Sequence, residues 1–136
     1  MVDLVNSLHI AASGMKAQSD RLRVVSQNIA NADSLPTRPG EEPYRRKVIS
    51  FREQLDREMG ASKVRVYKYG YDDSDFGKRY DPGHPAADAE GYVLTPNVNT
   101  ILEMVDMREA QRGYEANLNV IEVSKSMIQR TVDMLR

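Results

Sequence analysis

The sequence predicts a mainly α fold, in which long N- and C-terminal helices pair as a coiled-coil-like core around a small β-rich or extended middle insert. Two observations carry this. All six prolines lie between positions 36 and 96, so the flanks are free of the residue that breaks helices. Both flanks also repeat apolar residues at alternating spacings of three and four, the period of a helix seam. The expected organisation is an N-terminal core helix over 1–32, an insert of β-hairpin and loops over 33–96, and a C-terminal core helix over 97–136 that forms one helical core with 1–32.

In the N-terminal flank, Leu4, Leu8, Ala11, Met15, Gln18, Leu22, Val25 and Ile29 fall on one stripe, with Gln18 its only polar member. Asp3 or Asn6 suits the helix start. A helix over residues 4–31 is roughly 40 Å long at 1.5 Å per residue. Gly14 costs such a helix about 1 kcal/mol relative to alanine. Beside Ala11, Ala12 and Ser13 it makes a smooth patch where another backbone can come close. A weaker second stripe runs through Ile10, Ala17 and Val24.

In the C-terminal flank, Met104, Met107, Gln111, Tyr114, Leu118, Ile121, Lys125, Ile128, Val132 and Leu135 form one stripe. Val98, Leu102, Val105, Val120, Val123, Met127 and Met134 form a second, well round the helix from the first. One partner helix cannot cover both. A hairpin of the two flanks therefore leaves apolar surface that calls for more protein. The residues expected to carry assembly are Leu4, Leu8, Ala11, Met15, Leu22, Val25 and Ile29, with Met107, Tyr114, Leu118, Ile121, Ile128, Val132 and Leu135. The polar members Gln18, Gln111 and Lys125 are candidates for setting register.

The middle segment holds six of the eight glycines, six of the seven tyrosines and both phenylalanines. Lys63 to Tyr69 alternates polar and apolar, as a half-buried strand does. Val48 to Leu55 suits a second strand or a short helix. Gly70 and Gly77 mark turns, and Thr37 to Pro43 reads as a mobile loop.

The chain has no cysteine and a formal net charge of -1. The first excludes disulfides, zinc–thiolate sites and cysteine nucleophiles. The second leaves no basic excess to hold nucleic acid. The N-terminus lacks the basic and apolar regions of a cleavable signal peptide, and no stretch reaches the roughly 18 apolar residues of a membrane span.

No catalytic, cofactor or metal site emerges. His9 lies on the first helix without partners, and His84 sits between Pro82 and Pro85, where no helical metal face can form. Asp72-Asp73-Ser74-Asp75 lacks the remaining ligands of a calcium loop and reads as a solvated turn. Arg45-Arg46-Lys47 reads as a solvated strand edge, with an electrostatic contact to an acidic neighbour as the alternative.

Several blocks go beyond composition. Ser26-Gln27-Asn28-Ile29-Ala30-Asn31-Ala32-Asp33-Ser34 closes the first flank. Its Asn28, Ile29, Ala30 and Asn31 resemble the signature that ends the terminal helix of flagellar axial proteins, those of rod and hook. Asn31 and Asp33 suit a helix exit, since they tolerate left-handed backbone and bond their own main chain. Pro43 to Lys47, the run from Asp81 to Val93 with Pro82, Gly83, His84, Pro85, Gly91 and Tyr92, and Pro96-Asn97-Val98-Asn99 narrow the match. Together with Glu103 to Ala110 and Tyr114 to Asn117, they resemble the proximal-rod family of the bacterial flagellar basal body across nearly the whole chain. The departure is Leu35-Pro36-Thr37-Arg38, where that family has smaller polar residues.

The resemblance implies a structural subunit whose terminal helices build the core of a hollow rod that transmits torque. It implies partners among copies of itself, the other proximal and distal rod subunits and the adaptor between rod and export gate. Delivery to the periplasmic space falls to the flagellar type III export apparatus, without a cleavable signal peptide. No cofactor, nucleic acid or direct membrane insertion is implied. The alternative is a cytoplasmic helical adaptor or secretion chaperone.

Overall fold

The computed structural model describes residues 1–136. Its elements in order are α1 (Val2–Ala30), β1 (Lys47–Asp56), β2 (Ala61–Tyr71), β3 (Gly77–Tyr80), β4 (Tyr92–Thr95) and α2 (Thr100–Met134). Helix makes up 47% of the chain and strand 21%. The expectation of a mainly α chain is thereby corrected: helices stand at both termini, but the middle is a substantial β region with two small sheets. The physical reason lies in β1 and β2, of ten and eleven residues. Val48, Ile49 and Phe51 in one, and Val64, Val66, Tyr67, Tyr69 and Tyr71 in the other, are β-branched or aromatic and favour extended backbone.

Val48 to Leu55, open between strand and helix in the sequence, is strand. The turn after it is built by Asp56, whose Oδ1 accepts the backbone N–H groups of Glu58 at 3.1 Å and Met59 at 3.4 Å. Gly60, at φ +63°, completes it in the left-handed region. Gly70 lies inside β2 rather than at a turn, with its α-carbon face towards Val48.

Two compact units divide the chain. The first comprises Met1–Leu22, Ser50–Lys68 and Arg108–Arg136. Here α1 and α2 run antiparallel, as Arg21 paired with Glu109 and Gly14 against Asn117 require. Its fully buried residues are Ala11, Ala17, Ala110 and Ser124, all small, with Met15, Leu22, Tyr114, Ile121 and Ile128 half-buried beside them. The hairpin joins through Val64 N–H, which donates to Ser13 Oγ (3.3 Å), and Asn6 Nδ2, which donates to Met59 O (3.3 Å).

The second unit comprises Arg23–Ile49 and Tyr69–Met107. Val24, Val25, Ala86 and Val93 form its apolar interior. β3 and β4 pair antiparallel, Gly77 opposite Thr95 and Tyr80 opposite Tyr92, and the Tyr80 and Tyr92 rings meet edge-on at 5.3 Å. The proline-rich connection between them is closed by Asp81 N–H donating to Gly91 O and by Asp88 N–H donating to Tyr92 O, both at 2.9 Å. Gly91 has φ +86°, and a Cβ there would stand 3.0 Å from the Tyr80 ring. α1 ends without any left-handed residue. Asn31 instead closes it with its side chain, Nδ2 donating to Gln27 O at 2.8 Å. α2 starts at a cap, with Asn99 Oδ1 accepting from Ile101 N–H (3.1 Å) and Leu102 N–H (3.4 Å).

Candidate functional site

The second unit is held by a buried polar cluster. Asn28, in the last turn of α1, is 1% exposed. Its Oδ1 accepts from Tyr44 O–H (2.8 Å) and Lys47 N–H (2.9 Å). Its Nδ2 donates to Lys47 O (2.9 Å) and Glu103 Oε2 (3.3 Å). Both donor and both acceptor positions of the amide are thus used, which is what lets it stay buried.

Glu103, near the start of α2, is also 1% exposed and receives Arg46 Nε at Oε1. The Arg46 guanidinium also faces Asp72 Oδ2 at 3.4 Å and Asp106 Oδ2 at 3.8 Å. Burial works against its charge, but the hydrogen bond and charge of Glu103, with Asp72 and Asp106, more than offset this and hold it above its usual value. Burial, with the charges of Tyr71 and Glu103, raises the Tyr44 phenol. Hydrogen bonds from Ser74, backbone first, and the Arg46 charge lower the Asp72 carboxyl. Arg46 N–H donates to Asn97 Oδ1 (2.7 Å), and Asn97 Nδ2 donates to Asp72 O (3.0 Å) and Ser74 O (3.2 Å). Arg45 donates to Asp72 O at 2.8 Å and lies over the Phe76 ring. Four stretches remote in sequence are joined by one network of charge-assisted bonds.

Sequence reasoning did not assemble this cluster. It preferred a solvated edge for Arg45-Arg46-Lys47 over an electrostatic contact with an acidic neighbour, whereas Arg46 is held by carboxylates of its own chain. A signal was present: Glu103 is the sole charged residue between Glu90 and Asp106, set among Ile101, Leu102, Met104 and Val105. A lone carboxylate in an apolar run asks for a buried cation.

Around Glu103 the apolar neighbours face out: Ile101 is 74% exposed, and Leu102, Met104 and Val105 are exposed too. In the first unit, Leu118, Val120, Val123, Met127, Val132, Met134 and Leu135 of α2 are exposed, as are Val2, Val5 and Ile10 of α1. The least exposed line along α2 runs through Glu103, Met107, Ala110, Tyr114, Asn117, Ile121, Ser124 and Ile128. It shares Met107, Tyr114, Ile121 and Ile128 with the seam expected from the sequence. Leu118, Val132 and Leu135 of that seam stand in solvent in the single chain. On α1, Ala11 and Val25 are buried, and Leu4, Leu8, Met15, Leu22 and Ile29 are half-buried.

Of the motif residues, Asn28, Gly91 and Pro96 are buried, and Ile29, Asn31, His84 and Asn97 are half-buried. Ala30, Pro82, Gly83, Pro85 and Tyr92 are exposed. His84 Nδ1 accepts the Ala86 N–H at 3.1 Å, so the imidazole serves the turn. No cluster of three or more His, Cys, Asp or Glu side chains is placed to hold a metal, and no helix is long and apolar enough to cross a membrane.

Comparison with known proteins now gives these motifs their class. Residues 8–34 match the family described as flagella basal body rod protein, and residues 89–134 match the flagellar basal body rod FlgEFG protein C-terminal family. The chain belongs to the FlgC family of flagellar basal-body rod proteins. It is 52% identical to the flagellar basal-body rod protein FlgC of Agrobacterium fabrum, over 93% of this chain and 91% of that one. It is 40% identical to that of Bacillus subtilis (95% and 96% covered) and 41% identical to that of Salmonella typhimurium (96% and 97% covered). The family is a structural one, not an enzyme family, and the alternative of a cytoplasmic adaptor or chaperone gives way to it.

Proposed function

We propose that this chain is a subunit of the proximal rod that polymerises through the outward faces of its terminal helices, with copies of itself and with other rod proteins, into the shaft that transmits torque. The observation that carries the reading is the aliphatic surface that α2 leaves outside. Its inward line already holds Met107, Ala110, Tyr114, Ile121 and Ile128 beside Glu103, Asn117 and Ser124, yet Val120, Val123, Met127, Met134 and Leu135 lie exposed. Aliphatic surface of that extent on a helix is surface awaiting a partner. Each such side chain that becomes fully buried contributes about 1.5–3 kcal/mol, so a few contacts repeated along a filament suffice for stable assembly. The family relationship supports the rest of the reading: delivery by the flagellar type III export apparatus, and assembly in the periplasmic part of the basal body.

The test replaces the chromosomal copy with a Val123→Asp, Met127→Asp variant. Both positions are exposed, so the purified chain keeps its wild-type circular dichroism. The variant is expected to be absent from purified hook–basal bodies, and the cells not to swim. Incorporation at the wild-type level would remove the α2 face from the assembly surface.

A further inference from the structure

In the first unit the two helices meet by amides lying on glycines. A Cβ added at Gly14 would stand 2.8 Å from Asn117 Nδ2 and 3.1 Å from its Cγ. A Cβ added at Gly113 would stand 3.0 Å from Gln18 Nε2 and 3.1 Å from its Cδ. The contact is reciprocal because the two helices carry the same spacing, glycine followed four residues later by an amide: Gly14 and Gln18, Gly113 and Asn117. Asn117 Nδ2 also donates to Gly113 O at 2.9 Å, so the four residues form one patch. Gln18 Oε1 is buried there without a hydrogen-bond partner.

That arrangement is unfavourable on two counts. Each glycine costs a helix interior about 1 kcal/mol relative to alanine, and an unpartnered buried acceptor costs about 1–3 kcal/mol. Leucine at 18 and 117 would avoid the second cost and fit a heptad seam. Polar residues kept in a seam at a cost in stability are known to select partner and register. The same chain exposes aliphatic stripes that match a generic heptad, so an aliphatic inner seam would offer the outer stripes of a second copy an equally good bed.

We infer that Gly14, Gln18, Gly113 and Asn117 form a sorting lock: the intrachain pair of helices recognises itself by amide on glycine, and the outer aliphatic stripes are thereby kept for contacts between chains. An aliphatic side chain from a second copy, laid in this seam, would meet the Gln18 and Asn117 amides where the intrachain pair offers the bare backbone of Gly113 and Gly14. The sorting role rests on the proposed use of the outer faces; the packing of the lock does not.

The experiment uses the full-length chain. Helix propensity alone predicts that Gly14→Ala raises the urea midpoint. The lock predicts that it lowers the midpoint, and that the same substitution raises it in an Asn117→Ala background. A rise in the otherwise wild-type chain overturns the lock. Gln18→Leu with Asn117→Leu is then expected to keep or raise the midpoint while shifting the mass distribution in sedimentation velocity to mixed oligomers. An unchanged distribution overturns the sorting role. It leaves the rod reading standing if Val123→Asp, Met127→Asp still blocks incorporation, so the two failures are distinct.

Discussion

Arg46→Met tests whether the polar cluster holds the second unit. The substitution keeps most of the apolar stem and removes the guanidinium that meets Glu103, Asp72 and Asp106. Glu103 is then left 1% exposed, with Asn28 Nδ2 at 3.3 Å as its remaining partner in the cluster. Removing one member of a buried ion pair costs about 3–5 kcal/mol. The Arg46 side chain is 26% exposed, so part of the pair is solvent-screened and the lower end applies. We expect a loss of about 3 kcal/mol, equivalent to a fall of roughly 10 °C in Tm for a chain of this size. Glu103→Gln should cost less, since Arg46 keeps Asp72 and Asp106 and reaches water. The double variant should cost clearly less than the two singles together, because they break one interaction. Urea denaturation followed by circular dichroism measures all three. An Arg46→Met chain within about 0.5 kcal/mol of wild type, the range of neutral surface changes, would refute the argument and return Arg46 to the solvated edge.

Other consequences are separate. The Asp72 carboxyl is lowered from its ordinary 3.8 by Ser74 and Arg46, so its share of stability is present above that value and lost as pH falls through the lowered one. Urea midpoints between pH 6 and pH 2.5 should therefore fall less steeply for Asp72→Asn than for wild type. Asn99→Ala removes the cap of α2 and should cost about 1 kcal/mol in the same assay. Gly91→Ala should be more damaging than a surface alanine, since it forces a side chain into φ +86° and against Tyr80 and Pro82; thermal melting of the variant decides this.

The two helices were legible because their signals are local. Proline-free flanks with a sustained three–four spacing placed helices over 4–31 and 97–136, against Val2–Ala30 and Thr100–Met134 in the structure. The weight of the β region was less legible. Its length depends on β1 continuing through Glu53 and Gln54, polar residues that carry no strand signal of their own. Of the polar cluster, the lone Glu103 in its apolar run and the basic run at Arg45-Arg46-Lys47 were visible, but which cation meets Glu103 is a fact of tertiary packing. Apolar periodicity reads the inside of a helix only where the inside is apolar. On α2, Leu118 looks inward by pattern, while Asn117 and Ser124 occupy the inward line in the folded chain.

That division between polar contacts inside and aliphatic surface outside bears on how a building block fixes its own fold and offers contacts to others. An interior tied by hydrogen-bonded polar groups such as Asn28 and Glu103 gains strong geometry, because hydrogen bonds fix distance and direction where aliphatic packing tolerates slip. Asn28 illustrates this: four bonds tie the end of α1 to Tyr44, Lys47 and Glu103, and none works if the segments shift by one residue. An exterior of valine, methionine and leucine does the reverse, giving free energy on burial with loose directional demands. A helix that must meet several different neighbours is better served outside by the tolerant chemistry and inside by the exacting one. On that argument, exchanging the two chemistries at matched positions should damage assembly more than either change damages the fold of the single chain.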